Sequence, residues 1–363
     1  MSIVFNKNDE KMLKSKLNKH YQLKRQIKSL SFVFLSIIYF YLQLHGNITN
    51  KIHISINVDN KYIYTCLVYL TSLLDNRAES TYYIIHALTN HNLSKDSIDK
   101  IKAVIKKFGK NCSEILFYNL GDDFKGATIR SYFTLTTYYR IALPSILKNI
   151  NKVIYTDIDM INLKDLTEMY QIKFNQNMYL FANLDNYCNI KELKKFGIKE
   201  NKYINSGVLL MNLKAMRENS VEKKLRDFIS THYLRLLEQT AINAVCHNNI
   251  QILPYKYSIY ALNSLKELVM FNNNQKPKYR FNKSELYKAY HNPTLVHFFW
   301  KYKPWNKKYS GFHKVYWWYY AKMSGYYDEI LKYYKQNINY VEDLLKKIPD
   351  DGGLLNENNK RFI

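Results

Sequence analysis

The sequence predicts an α/β fold, with a mixed, mainly parallel sheet flanked by helices. Two observations predict it: strand-like and helical segments alternate from Lys51 onward, and acidic side chains follow two of the apolar strands. The chain has 363 residues, 47% of them hydrophobic, which is enough for a large core. We divide it into an N-terminal extension (1–50), one central domain (51–305) and a basic, aromatic, helical C-terminal region (306–363).

The predicted elements of the central domain follow one another in short, regular steps. Period-two and unbroken apolar runs predict strands at Lys51–Asp59, Thr81–Leu88, Glu114–Tyr118 and Lys152–Tyr155. Helical periodicity predicts helices at Tyr62–Asp75, Leu93–Phe108 (capped by Ser94) and Thr134–Leu147. In sheets of this kind ligands bind at the carboxyl ends of strands, which is where Asp59, Asp157 and Asp159 stand.

The pair Asp157-Ile158-Asp159 directly follows a predicted buried strand. Two carboxylates there can hold one divalent cation, which can then clamp a diphosphate, although a solvated turn would look the same. A calcium-binding EF-hand is excluded because position six of such a loop is Asn162 rather than glycine. Neither a G-x-G-x-x-G fingerprint nor a P-loop is present, so a bound phosphate needs other partners.

Three further stretches offer polar groups. A tight turn is predicted at Asn205, Ser206 and Gly207, and it presents Asn205 to a ligand. A buried strand and, after Leu213, a helix follow it. An ordinary loop is the alternative, since it would have the same sequence pattern. Glu238 and Gln239 start a predicted helix that runs through Val245. In LVHFFWKYKPW, His297 can complete a metal site and Lys303 can pair with a phosphate, while a core histidine is the alternative.

Charge and cysteine pattern narrow the class of partner. The 54 Lys and Arg less the 30 Asp and Glu give +24, which favours anionic partners or simply makes a basic surface. Four scattered cysteines form no structural zinc pattern. Residues 29–50 carry no Lys, Arg, Asp or Glu, but their apolar core is shorter than the ~20 residues of a spanning helix. We therefore favour a buried or interfacial helix there over a single-pass membrane anchor.

Taken together and in order, these stretches resemble glycosyltransferase family eight, the retaining nucleotide-sugar transferases, and most nearly the bacterial lipopolysaccharide core glucosyl- and galactosyltransferases. The resemblance spans about Ile54 to Ile330 and rests on VDNKY, TTYYR, YTDID, NSGVLLMNL, EQTAIN and H-x5-K-P-W. It implies a Rossmann-like nucleotide-diphospho-sugar transferase fold for residues 51–305. It also implies a divalent metal, Mn²⁺ or Mg²⁺, and a UDP-sugar donor.

The resemblance assigns roles by position. Donor contacts fall on Val58, Asp59, Tyr62, Arg140, Asp157, Ile158, Asp159, Asn205 and Lys303. The metal ligands are Asp157, Asp159 and His297, and the residues at the reaction centre are Gln239, Asp185 and Glu238. The chain departs from the family at three places: Glu238-Gln239-Thr240 replaces Asp-Gln-Asp, Asn60 replaces an acid, and bulky residues at Phe298, Phe299 and Trp300 follow His297 where a glycine is common.

The implied reaction is transfer of glucose or galactose from a UDP-sugar to a lipopolysaccharide or lipooligosaccharide core acceptor. Gln239 is a poor nucleophile, which favours same-face attack over a covalent intermediate. Residues 276–335 hold thirteen Lys and Arg against three acids, interleaved with aromatics. This predicts either an interfacial surface for an anionic glycolipid or a basic packed helix.

The location follows from the donor, which is cytosolic in bacteria. We expect a cytoplasmic enzyme held peripherally on the inner membrane, with a eukaryotic luminal enzyme anchored by residues 29–50 as the alternative. Other hypotheses are a family member that builds a capsule or protein-linked glycan, and a non-catalytic sugar-binding relic. A nucleic-acid-binding protein has the charge in its favour but no motif, so we expect no nucleic acid partner.

Overall fold

The computed structural model describes residues 50–109, 112–129, 134–185, 194–198, 203–273 and 282–346, with the backbone alone for 271–273. The segment 29–50, apart from Asn50, lies outside the described residues, so its predicted helix stays a prediction. Within the described ranges, no helix is long and apolar enough to cross a membrane.

A seven-stranded sheet and a smaller three-stranded sheet organise the molecule. Their strands, in chain order, are β1 (Asn50–Val58), β2 (Thr81–Thr89), β3 (Ser113–Asn119), β4 (Lys152–Thr156), β5 (Met160–Asn162), β6 (Leu180–Leu184), β7 (Ile204–Asn212), β8 (Ile250–Ile252), β9 (Ile259–Tyr260) and β10 (Leu295–His297). The large sheet has the order β3-β2-β1-β4-β7-β6-β8, and the small one β5-β10-β9. In the large sheet only β7 runs antiparallel to its neighbours, which confirms the mixed, mainly parallel prediction.

Helices pack on both faces of the large sheet and, in the C-terminal region, around the small sheet. They are α1 (Ile63–Asp75), α2 (Lys95–Lys107), α3 (Leu143–Ile146), α4 (Thr167–Tyr170), α5 (Leu213–Glu218), α6 (Val221–Thr231), α7 (Leu237–Cys246), α8 (Leu265–Asn273), α9 (Lys283–His291), α10 (Lys314–Met323), α11 (Tyr327–Tyr333) and α12 (Ile338–Leu345). Ser94 caps α2 as predicted, accepting from the Ser97 amide at 3.1 Å. The predicted helix at 134–147 is instead a 3₁₀ helix, Leu135–Ala142, followed by the single turn α3.

The predicted tight turn at Asn205–Gly207 is wrong, because these residues lie inside β7. Both edges of β7 are occupied: Val208 pairs with Thr156 of β4, and Ile204 pairs with Leu184 of β6. Ladder partners on two sides outweigh the local turn preference of a small polar tripeptide.

The aromatic residues of the C-terminal region form part of the core. Trp317, Trp318 and Tyr320 of α10 are fully buried, against α1 among others. Even Lys314 is buried, and its ammonium donates to the Tyr309 carbonyl at 3.1 Å and to the hydroxyl of Tyr340 at 3.1 Å. For α10 the interfacial interpretation of these aromatics is therefore wrong, and the basic packed helix is what the chain forms.

Candidate active site

Two strand ends bring the proposed metal ligands together. Asp157 and Asp159 lie between β4 and β5, and His297 is the last residue of β10, which pairs with β5 so that His297 faces Met160. The Phe298 amide donates to the Asp159 carbonyl at 2.9 Å and extends this pairing by one bond. One ligand atom from each of the three side chains lies within 4.8 Å of the others.

Asp159 carries the strongest electrostatic signature of the cluster. Burial raises the pKa of its carboxyl, but the positive charge of Lys303 and the contact with His297 outweigh that effect and hold the pKa well below its usual range. Lys303 donates to Oδ2 of Asp159 and to the Phe298 carbonyl, the latter at 2.6 Å. Asp159 is thus an anion at any neutral pH, as a metal ligand must be.

The cluster fits a cation by two criteria besides its donor set. Nδ1 of His297 is buried and lacks a hydrogen-bond partner within the described part of the chain, and the buried Oδ1 of Asp159 has only Nε2 of His297 near it there, at 3.3 Å. Gly207 of β7 leaves the space between the ligands clear: a Cβ built there meets Cε1 of His297 at 2.7 Å, Oδ1 of Asn205 at 2.9 Å and Oδ2 of Asp157 at 2.9 Å. Two carboxylates and an imidazole suit manganese or magnesium.

Arg140 contacts one of the metal-ligand candidates, Asp157, directly. Its buried guanidinium donates to Oδ1 of Asp157 at 2.9 Å and to the Ser206 carbonyl at 2.5 Å, and it stacks 4.2 Å above the Tyr155 ring. Tyr155 also donates to Oδ1 of Asp157, at 2.9 Å. One oxygen of Asp157 is thereby fixed by two donors, which leaves Oδ2 directed at the space beside Gly207.

Glu238, in the first turn of α7, faces the same arginine. Its carboxylate lies 3.4 Å from the Arg140 guanidinium and accepts from the Ser206 hydroxyl at 3.1 Å. Burial raises the pKa of Glu238 and Asp157 adds to the rise, while Arg140 opposes it, with a net pKa of about 7. The longer side chain at this position therefore still reaches the site, where it titrates near neutrality.

A second group of side chains connects α7 to the ends of β6 and β7. The amide of Gln239 donates to Asp185 at 2.7 Å, and its carbonyl accepts from the backbone of Ser206 at 3.1 Å and from Asn205 at 3.2 Å. Oδ1 of Asn205 accepts from the Gly207 amide at 2.9 Å, which ties this group to the cluster. Hydrogen bonds at both ends fix the orientation of the Gln239 amide.

The proposed nucleoside contacts lie at and after the end of β1. Asp59 accepts from the Tyr62 amide at 3.0 Å and from the Thr134 hydroxyl at 2.8 Å, so its carboxylate closes the turn after buried Val58. Burial raises the pKa of Tyr62, and the charge of Lys303 partly offsets this rise. Ile158 packs against the hydrophobic core from between the two metal-ligand candidates.

Three positioning residues escaped the sequence analysis. Tyr155 and Ser206 hold Asp157 and Gln239, as described above. Asn243 bonds both the amide and the carbonyl of Ile204, at 2.7 and 2.9 Å, and so locks α7 onto β7. All three stand in motifs that carry the resemblance: Tyr155 begins YTDID, Ser206 lies in NSGVLLMNL, and Asn243 stands one helical turn after Gln239 in EQTAIN.

Comparison with known proteins identifies relatives of the whole central region. The family model described as Glycosyl transferase family 8 matches residues 53–309. General stress protein A of Bacillus subtilis (strain 168) is 25% identical over 247 residues, which cover 66% of this chain and 81% of the relative. Glycosyltransferase GlyE of Streptococcus pneumoniae serotype 4 is 22% identical over 241 residues, which cover 64% of this chain and 53% of that protein.

Solved structures agree on the fold. An apo structure of the bifunctional glycosyltransferase WbbM superimposes with a TM-score of 0.67 at 18% identity, covering 78% of this chain and 52% of WbbM. The galactosyltransferase LgtC, crystallised with donor and acceptor sugar analogues, gives a TM-score of 0.61 at 20% identity, covering 76% of this chain and 95% of LgtC. These likenesses confirm the nucleotide-diphospho-sugar transferase fold that the sequence predicts.

Proposed function

The chain belongs to glycosyl transferase family 8 and is therefore a glycosyltransferase, and we propose that it transfers a hexose from a UDP-sugar to a sugar hydroxyl with retention of configuration. The observation that carries this proposal is the cluster of Asp157, Asp159 and His297 around the space that Gly207 leaves clear. A divalent cation bound there, Mn²⁺ or Mg²⁺, supplies charge neutralisation of the departing diphosphate.

The chain's own residues then hold the donor on either side of that cluster. The ammonium of Lys303, already paired with Asp159, is the positive charge nearest the ligand set and suits a phosphate oxygen. Arg140 acts through Asp157, whose Oδ1 it fixes, and we expect it to contribute positive potential rather than a direct donor contact. Asp59 and Tyr62 at the end of β1 are the proposed contacts of the nucleoside.

The hexose is proposed to lie against Asn205, Asp185 and Gln239. Because Gln239 is an amide held at both ends, it can position the reacting carbon but offers no nucleophile for a covalent intermediate. Attack on the face from which the diphosphate leaves needs no such nucleophile. The proton of the acceptor hydroxyl then passes to the departing phosphate oxygen, and the group's configuration is retained.

For the acceptor we propose glucosyl or galactosyl transfer onto an anionic glycolipid such as a lipopolysaccharide or lipooligosaccharide core, at the cytoplasmic face of the inner membrane. The support is the exposed lysines that follow the site, Lys301, Lys307 and Lys308, within a chain of net charge +24. A capsular or protein-linked glycan is the alternative acceptor. Comparing the transfer rate to an anionic glycolipid with the rate to a neutral oligosaccharide separates the two. Membrane fractionation with and without residues 1–50 tests the attachment.

The proposal is tested by measuring UDP release from UDP-glucose and UDP-galactose with Mn²⁺, together with Mn²⁺ binding by electron paramagnetic resonance. Asp159→Asn is expected to lose at least ~100-fold in UDP release and to weaken Mn²⁺ binding, since it removes an anionic ligand. Asp343→Asn, at an exposed aspartate of α12, is the matched control, and we expect it to keep native UDP release and native Mn²⁺ binding.

Two outcomes contradict the proposal. If Asp159→Asn releases UDP as fast as the native protein, the metal assignment is wrong. If the native protein binds Mn²⁺ but releases no UDP from either donor, even with acceptor, the non-catalytic relic is the better hypothesis.

A further inference from the structure

The loop between His297 and Lys303 presents one large aromatic side chain to solvent. Trp300 is 60% exposed, and its backbone is left-handed, with φ of 49°. A bulky residue with a Cβ is an outlier in that region, which costs of order 1 kcal/mol or more. Such backbone strain concentrates at ligand-binding sites, so this residue calls for a functional explanation.

The loop is fixed on both sides of Trp300. Before it, the Phe298 amide bonds to the Asp159 carbonyl at 2.9 Å, and the Phe299 ring lies 4.2 Å from that of Tyr260. After it, Lys303 donates back to the Phe298 carbonyl at 2.6 Å. The backbone that carries Trp300 is therefore held at a set position, three residues from a metal-ligand candidate and three from the proposed phosphate contact.

The exposure of Trp300 contrasts with that of the chain's other tryptophans. Trp317 and Trp318 are fully buried and Trp305 is half-buried, so the other three indoles take part in packing to a greater extent than Trp300 does. The ammonium of Lys301 lies over the Trp300 ring, 5.1 Å from the ring centroid, and places a hydrogen-bond donor next to the indole. A flat apolar face with a cationic donor beside it matches a pyranose ring, which has an apolar C–H face and hydroxyls around its rim.

Resting on the proposed function, we propose that Trp300 is a stacking platform for a pyranose ring beside the diphosphate site, and so a specificity-determining residue of the transfer. The ring belongs either to the acceptor sugar or to the donor hexose, since both meet at the diphosphate. The uracil is not the stacked ring, because the proposed nucleoside contacts, Asp59 and Tyr62, lie after β1 and not in the loop of Trp300.

Steady-state kinetics test the platform through the split between KM and kcat. Trp300→Ala is expected to raise the KM for the stacked sugar about 5- to 10-fold with little change in kcat, while Trp300→Phe keeps most of the affinity. UDP release without acceptor isolates the donor: a KM for UDP-sugar that rises there assigns the ring to the donor hexose. A rise confined to the KM for lactose as acceptor assigns it to the acceptor.

Acrylamide quenching of tryptophan fluorescence gives a readout that needs no turnover. Because Trp300 is the most exposed of the four indoles, the quenchable fraction reports mainly on it, and Trp300→Phe is expected to lower that fraction to what half-buried Trp305 contributes. Lactose, UDP-glucose or UDP-galactose, added with Mn²⁺, is expected to shield Trp300. Tm measurements on each variant separate these effects from loss of folding.

The outcomes distinguish this inference from the proposed function. Shielding by a sugar in a protein that releases no UDP keeps the platform and rejects the transferase proposal. Normal UDP release, with unchanged KM values in Trp300→Ala and no shielding by any of the three sugars, overturns the platform alone. Faster turnover in Trp300→Gly also overturns it, because the indole would then be obstructing the site.

Discussion

Arg140 shows how a single buried charge organises the site. Its guanidinium joins Asp157, Glu238 and the Ser206 carbonyl, so the positions of one metal-ligand candidate and of the α7 carboxylate depend on it. Burial opposes its charge, but the surrounding acids outweigh that effect, and the pKa of Arg140 stays above its usual value. A planar fork with several donors can satisfy three acceptors at once, which a lysine cannot.

We expect Arg140→Met to lower the free energy of unfolding by about 3 kcal/mol, because it leaves buried carboxylate charge without a partner. Urea denaturation at pH 7.5 measures this. Arg226→Met is the matched control: Arg226 also bonds two acids, Asp123 and Glu222, but is half-exposed, and its loss is expected to cost under about 1 kcal/mol. Equal losses in the two variants would contradict a structural role specific to Arg140.

His86 makes stability depend on pH at a site far from the chemistry. Its Nε2 lies 3.0 Å from Nδ1 of His53, and its Nδ1 lies 3.0 Å from the Tyr118 hydroxyl. Burial, and then the neighbouring His53, lower the pKa of His86 to about 4. In the unfolded chain the histidine pKa is about 6.5. The unfolded state therefore takes up the proton first, and stability is lost as pH falls from about 6.5 towards 4.

His86→Gln removes this titration. We expect the fall in Tm between pH 7 and pH 4.5 to be smaller in the variant by roughly 3 °C, whatever the variant does to Tm at pH 7. Differential scanning calorimetry at the two pH values measures the difference. The same substitution at the exposed His91 serves as control, and an identical pH dependence in all three proteins would contradict the assignment.

At the scale of elements, β7 is the strand on which the site is assembled. It pairs with β4, which leads to Asp157, and with β6, which leads to Asp185. Asn243 attaches α7 to the start of β7, so that Glu238 and Gln239 enter from the side. A central strand with partners on both edges is rigid, which suits the proposed cation site.

Gly207→Ala is expected to weaken Mn²⁺ binding by at least about 10-fold, because the new methyl group overlaps Asp157, Asn205 and His297 at 2.7–2.9 Å. Isothermal titration with Mn²⁺ measures the affinity. The control is Gly121→Ala: this glycine has φ of 54° but room for a Cβ, so the variant is expected to lose about 1 kcal/mol of stability and no metal affinity. Unchanged Mn²⁺ affinity in Gly207→Ala would contradict the position of the cation.

At the scale of the whole molecule, the region after the family match is part of the fold. Tyr333 of α11 donates to the Lys61 carbonyl at 2.7 Å, in the turn after β1. Tyr334 stacks on Trp305, with ring centroids 4.3 Å apart, and bonds the Thr65 hydroxyl at 2.7 Å. The C-terminal helices thus support the segment that follows β1, where the proposed nucleoside contacts lie, as well as the core.

A chain that ends at Tyr309 is therefore expected to lose cooperative unfolding and to bind a hydrophobic dye, since it removes the buried indoles of Trp317 and Trp318. Thermal denaturation followed by circular dichroism measures the transition. A chain that ends at Lys346, which keeps every described C-terminal residue, is the control. A sharp transition in the shorter chain would mean that residues 310–346 are a separate appendage.

The alternation of strands and helices could be predicted from the sequence, because hydrophobic periodicity is a local property of the chain. The sequence also placed Asp157 and Asp159 at a strand end, since apolar residues stop there and two carboxylates begin. The ordered motifs predicted which other residues belong to the site, and His297 does lie beside the two aspartates.

Features that depend on contacts between distant segments could not be predicted from the local sequence and are seen in the fold. The turn expected at Asn205–Gly207 became a strand because β4 and β6 supply ladder partners from elsewhere in the chain. The aromatics of α10 became core because other elements cover them, and Arg140 turned inward because the carboxylates of half-buried Asp157 and buried Glu238 meet it there. Local sequence fixes the periodicity of each segment, whereas burial and charge pairing depend on which segments meet.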